Sequence, residues 1–162
     1  MLWGGVGLDP RLLAELCDRC PFLSDITLDG GADDASVLSV LEAQPHLPAL
    51  TVTGCSASAV RGQFLAQLPA GLRQLSLDCR GLRWPMMAGL ACCGQLRRLE
   101  LLQCTSIEPG PLADGLAGCG RLERLRLSCR GGGAITACLS AARRAESAAR
   151  AGPVRVSAAA GR

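Results

Sequence analysis

Apolar residues fall along the chain in triplets, with two residues between the first and second position and one between the second and third. Leu23, Ile26 and Leu28 form the first triplet, and Leu47, Leu50 and Val52 the second. Leu72, Leu75 and Leu77 follow, then Leu96, Leu99 and Leu101, then Leu122, Leu125 and Leu127. The steps between first positions are 24, 25, 24 and 26 residues. Recurrence at such a period marks an architecture of stacked repeats. The last two positions of a triplet lie two residues apart, so they share one face of a short strand, and the first packs at the turn entering it. A degenerate sixth unit is expected near the end, with Val154 and Val156 in the second and third positions and a step of about 29 residues.

Between triplets the pattern changes to helical spacing. Asp9-Pro10 opens a helix carrying Leu12, Leu13 and Leu16. Asp33 or Asp34 is a suitable N-cap for a helix that turns Val37, Leu38 and Leu41 inward. A third segment runs from Ser58 to Leu68, with Val60, Phe64, Leu65 and Leu68 inward. Pro85 to Cys93 and Pro111 to Cys119 follow, each with proline at a favoured first position, and a longer helix is expected from about Ala134 to Arg150. No single strand-plus-helix unit buries its apolar face alone; stacking neighbours makes one continuous core. The expected fold is therefore α/β and a single domain over residues 1–162. Clear units occupy about 20–130, with a partial unit at 1–19 and a degenerate one at 131–162. A curved parallel sheet forms the concave wall and helices the convex one, in about five to six units.

The cysteines follow the same register. Cys20, Cys93 and Cys119 stand three residues before a first-position leucine, Cys55 and Cys104 eight after one, and Cys79 and Cys129 seven after one. Seven of the ten cysteines thus occupy repeated positions, which favours small buried fillers over catalysts. The N-terminus carries no basic stretch and long apolar run of a secretory signal, and no stretch approaches the length needed to span a bilayer. Free thiols in a reducing compartment, cytoplasmic or nuclear, are the expectation.

These residues resemble the leucine-rich repeats of the cysteine-containing subtype. The closest unit is Cys93-Gly-Gln-Leu96-Arg-Arg-Leu99-Glu-Leu101-Leu-Gln-Cys104-Thr-Ser-Ile107, continuing to Leu112, Leu116 and Cys119; Cys20-Pro21-Phe-Leu23 is similar to the family's Cys-Pro-x-Leu opening. The resemblance covers about residues 10–130. It implies a leucine-rich repeat solenoid, as in F-box substrate receptors of SCF-type ubiquitin ligases and in ribonuclease-inhibitor-like scaffolds. The units at Leu47 and Leu72 lack the leading cysteine, those at Leu72 and Leu122 shift the later one, and the first 19 residues read as half a unit rather than an F-box.

Charge sharpens the functional reading. All 17 basic residues are arginine, a composition that reflects GC-rich coding more than a nucleic-acid role. Residues 1–60 carry a balance of −6 and residues 61–162 one of +9. The residues between the inward leucines face the concave wall: Thr27, Thr51, Ser76, Glu100 and Arg126, with Arg155 in the sixth unit. Beside them run Asp25, Ala49, Gln74, Arg98 and Arg124, then Ser24, Pro48, Arg73, Arg97 and Glu123. Arg73, Arg97, Arg98, Arg124 and Arg126, with Glu100, form the candidate protein-binding patch, since arginine suits bidentate recognition of carboxylate or phosphate. The competing reading has Glu100 and Glu123 pair with these arginines so that nothing docks.

Other chemistry is weaker. Cys17-x-x-Cys20 lacks the second pair a structural zinc requires, Cys92-Cys93 is too tight for one tetrahedral pair, and His46, the sole histidine, sits in a turn. Arg130-Gly-Gly-Gly133 lacks the Lys-Ser/Thr of a phosphate loop, and the arginines from Arg143 to Arg150 lack the stacking aromatics of RNA binders. The expectation is a non-enzymatic interaction scaffold without catalytic residues, cofactor or metal, whose partners are other proteins, ubiquitin-ligase components among them, and neither nucleic acid nor membrane. A ribonuclease-inhibitor-like binder of an enzyme is the first alternative and a small thiol or zinc enzyme the second. The partner's identity and the oligomeric state are not encoded.

Overall fold

The computed structural model describes residues 3–4, 9–55, 59–80, 84–104, 109–129, 140 and 155–160. The helix expected at about 134–150 lies outside these residues except for Ser140, and so do Val154 and the Arg130–Gly133 bend.

The fold is α/β. Seven strands form one sheet: β1 (Trp3–Gly4), β2 (Ile26–Asp29), β3 (Ala49–Cys55), β4 (Gln74–Cys79), β5 (Arg98–Cys104), β6 (Arg124–Cys129) and β7 (Arg155–Ala160). They stand in chain order, each parallel to the next. The triplets align in register: Ile26 pairs with Leu50, Leu50 with Leu75, Leu75 with Leu99 and Leu99 with Leu125. The second and third positions of all five triplets are buried, while the residue between them is partly or fully exposed. One face of the sheet is therefore covered and the other open. Parallel crossovers share one hand, so in a sheet laid down in strict chain order the connections among the described residues fall on the same, covered face.

The connections are α1 (Pro10–Arg19), α2 (Asp34–Ala43), the 3₁₀ segments η1 (Gln63–Gln67) and η2 (Trp84–Cys92), and α3 (Pro109–Ala117). They too pack in chain order, α1 on α2, α2 on η1, η1 on η2 and η2 on α3. In α1 the Asp9 carboxylate caps the Arg11 N–H at 2.9 Å. The expected stripe Leu12, Leu13 and Leu16 narrows to Leu13 and Cys17; Leu12 is 55 % and Leu16 42 % exposed. Among the described helical segments α1 packs chiefly against α2, and one line of residues four apart suffices to cover it. In α2, Asp33 is the cap, accepting from Ser36 N at 2.8 Å and Ser36 Oγ at 2.6 Å. Val40 joins Val37 and Leu41 in the core, and Leu38 is half-buried.

Two expected helices take a different form. The segment at 58–68 buries Val60, Phe64, Leu65 and Leu68 as the pattern requires, yet only Gln63–Gln67 is helical and the turn is 3₁₀. The Asp34 carboxylate of the preceding unit takes the N–H groups of Arg61 and Gly62 at 3.0 and 3.1 Å, and Gly62 has a left-handed φ of 90°, which starts the helix late. The 84–92 segment is also 3₁₀ and approaches η1 closely: a Cβ added at Gly89 would lie 2.5 Å from the Leu65 carbonyl oxygen. α3 begins and ends two residues before the expected Pro111–Cys119.

A repeated hydrogen-bond scheme joins the units. Each first-position leucine donates its N–H to the carbonyl three residues earlier, from Leu23 to Cys20 at 3.3 Å through Leu122 to Cys119 at 3.0 Å. That earlier position is also a donor site. Buried Gln44 sends Nε2 to the carbonyls of Cys17 and Cys20 at 2.7 and 3.3 Å, and the Cys119 thiol donates to the Leu90 carbonyl at 3.3 Å. Cys17 and Leu90 stand at equivalent positions of their units, so an amide and a thiol do the same work. Cys93 and Cys119 are buried as expected, but Cys20 is exposed: among the described residues no helical segment precedes α1 to cover it.

The last unit corrects the expected register. Val156 pairs with Leu125 and Ala158 with Leu127, so Val156 holds the second position rather than the third. The Arg155 N–H bonded to the Glu123 carbonyl at 3.0 Å fixes this alignment.

Candidate functional site

The register builds two columns across the open face. One carries Ala49, Gln74, Arg98, Arg124 and Arg155 on successive strands, and Asp25, immediately before the Ile26–Leu50 pair, extends it to the first full unit. The second carries Thr27, Thr51, Ser76, Glu100, Arg126 and Ser157. The two-residue correction at β7 removes Arg155 from the Arg126 column and sets it beside Arg124. Three guanidinium stems thus leave one face of three adjacent strands, which stand about 4.8 Å apart.

A groove of about 370 Å³ follows these strands, its charged lining being Arg98, Glu100, Arg124, Arg126 and Arg155, with Ser157 beside them. Four guanidinium groups against one carboxylate leave the groove at +3. Among the described residues, Arg98, Arg124, Arg126 and Arg155 have no side-chain hydrogen bond or ion pair. Glu100 contacts Ser76 Oγ at 3.5 Å and is not within ion-pair distance of Arg126, its partner in register. The expected neutralisation therefore holds for one arginine of the set: Arg97 pairs with Glu123 at 2.8 Å on the exposed rim. Arg73 is exposed in that outer row and lines neither this groove nor its neighbour. The structure thus brings together Arg98, Glu100, Arg124 and Arg126, leaves out Arg73 and Arg97, and adds Arg155, whose place follows from the strand register and not from apolar spacing.

A second groove of about 230 Å³ adjoins the first, sharing Arg98 and Glu100 and reaching back through Gln74 and Ala49 to Asp25. Asp25 Oδ1 is buried without a hydrogen-bond partner. At the far ends of the strands the bends are tied by side chains: Thr53 Oγ1 donates to Asp29 at 2.7 Å, Gln103 Nε2 to Asp78 at 3.1 Å, and Arg80 Nε to Gln103 at 3.1 Å.

Three of the described thiols, Cys17, Cys93 and Cys119, are buried. Burial pushes Cys93 up to about 11, with Cys92 adding to it, and Cys119 up to about 12, with Cys93 adding. Burial, then Asp18 and Cys20, raises Cys17. A raised thiol is a poor nucleophile and ligand at neutral pH. Among the described residues no three His, Cys, Asp or Glu side chains are grouped to hold a metal ion, and no helix is long and apolar enough to cross a membrane. No family model, curated protein or solved structure matches the chain.

Proposed function

We propose that the chain is a leucine-rich repeat solenoid acting as a non-enzymatic scaffold in a reducing compartment, and that its open sheet face binds an acidic surface of another protein. The observation that carries this reading is the unpaired column Arg98–Arg124–Arg155, flanked by Arg126. Arg97 of the outer row has a carboxylate partner in Glu123, whereas among the described residues these arginines have none. These project from a rigid sheet, and a planar guanidinium binds carboxylates bidentately. The chain-order sheet and its recurring turn bonds support the repeat reading.

Affinity capture from cytosolic extract tests it, with the wild-type chain as bait and Arg98→Glu/Arg124→Glu/Arg155→Glu as control. Proteins retained only by the wild type are the expected result. Cullin-ligase components among them would place the chain with substrate receptors. An enzyme that loses activity on binding would instead place it with inhibitors of the ribonuclease-inhibitor kind. Equal capture by both baits rejects the arginine column as the binding site.

A further inference from the structure

We infer that the occupant of the open face is a bipolar extended peptide segment, with a cationic side chain over Asp25 and an acidic cluster over Arg98, Arg124 and Arg155. This rests on the binding role proposed above and specifies its ligand. The two grooves share Arg98 and Glu100 and so form one trough across six strands. Along it one column changes from a carboxylate, through neutral Ala49 and Gln74, to three guanidinium groups.

Both ends of the column are unsatisfied. Asp25 is half-buried and its Oδ1 lacks a hydrogen-bond partner, while the arginines have no counter-ion among the described residues. Asp25 lines that end of the trough, and an incoming ammonium or guanidinium matches its charge there. A uniformly acidic ligand would meet repulsion at Asp25, whereas a bipolar one is matched at both ends; Glu100 opposes the acidic cluster of either ligand alike.

Strand spacing sets the ruler. Asp25 lies three strand steps from Arg98 and five from Arg155, about 14 and 24 Å. An extended chain rises about 3.3 Å per residue, so the acidic residues belong about four to seven positions from the basic one. Neutral side chains over Ala49 and Gln74 complete the match.

Fluorescence polarisation at low ionic strength, with three labelled synthetic peptides and the full chain, decides the matter. The first peptide carries one lysine, three neutral residues and four glutamates; the second replaces lysine by serine; the third places lysine directly beside the glutamates. The first is expected to bind the wild type about threefold to fivefold more tightly than the others, the gain of one partly screened ion pair. Asp25→Asn is expected to abolish that preference while still binding the acidic cluster, and Arg98→Glu/Arg124→Glu to lose all three. Equal binding of the three peptides by the wild type, lost in the arginine variant, overturns the bipolar ligand and leaves the acidic-surface reading standing. No binding of any peptide to the wild type overturns both.

Discussion

Gln44 offers the sharpest test of how the units are joined. It stands three residues before Leu47, where other units place cysteine, and is 6 % exposed. Replacing it with alanine removes two neutral hydrogen bonds, to the carbonyls of Cys17 and Cys20, and the packing of a buried side chain. Neither carbonyl is orphaned, because Cys20 N and Leu23 N still donate to them at 3.1 and 3.3 Å. At about 0.5–1.5 kcal/mol per bond, with the longer one counted at the low end, and a cavity added, the cost is about 2 kcal/mol. Gln44→Cys places there the donor that Cys119 uses in its own unit, and is expected to cost only about half as much, because a thiol is a weak donor. Urea unfolding followed by far-ultraviolet circular dichroism measures both. With a slope of about 2 kcal/mol per molar urea, the alanine variant should lose about 1 M in midpoint and the cysteine variant about 0.5 M. Midpoints for the two variants that coincide, or an alanine variant as stable as the wild type, would refute the equivalence of amide and thiol at this position.

Gly115→Ala forces a Cβ against the Met87 carbonyl oxygen and should cost about 2–3 kcal/mol in urea unfolding, while Gly110→Ala, with open space around it, should not. Hydrogen bonds from Ser36 hold the Asp33 carboxyl below its ordinary value, so its capping contribution is present above the unfolded carboxylate range and fades as pH falls through the folded value. The gap between wild type and Asp33→Ala should be about 1 kcal/mol at pH 7 and shrink below about pH 4; a constant gap in urea midpoints would contradict it. Iodoacetamide at pH 8 should label exposed Cys20 and Cys92 in the native protein but spare Cys93 and Cys119, and peptide mapping that finds Cys119 modified as fast as Cys20 would count against the burial argument. Arg124→Gln should leave the melting temperature unchanged or slightly higher while weakening ligand binding; a clear drop in melting temperature would assign Arg124 a structural role.

The apolar triplets made the place and mutual register of β2 to β6 legible, though not their ends, because burial of one face admits a single alternation. They did not decide β7. A slip of two residues keeps every side chain on its face, and Val154-Arg-Val156 and Val156-Ser-Ala158 satisfy the alternation equally. The inward residues of the third helical segment were legible and its helix type was not, whereas in α1 only Leu13 of the expected Leu12, Leu13 and Leu16 is buried. Val60, Phe64, Leu65 and Leu68 point inward in an α-helix or a 3₁₀ turn alike, and the choice falls to Asp34 in another unit and to the approach of Gly89 to Leu65. Gln44 carried a usable signal, since it shares the spacing of the leading cysteines and, like them, bears a donor. The fate of Glu100 and Glu123 was not readable from spacing. Both lie opposite arginines in register, yet only the rim residue closes an ion pair.

A column of like charges persists in this fold because the energies on the two faces differ in scale. Neighbouring guanidinium groups about 5 Å apart repel by about 1 kcal/mol in a water-like dielectric, less with salt and with room for the exposed heads to splay. On the covered face two of the strands that carry these arginines, β5 and β6, bury Leu99, Leu101, Leu125 and Leu127, each contributing about 1.5–3 kcal/mol. The strand pairing is therefore set by the leucines, and the arginines are carried into register whether or not they find partners. The open face is in this sense independent of the core: its residues can be exchanged without disturbing the fold. An arginine column without counter-ions among the described residues is thus compatible with the fold at little cost, and the peptide and capture experiments above decide whether the face uses it to bind.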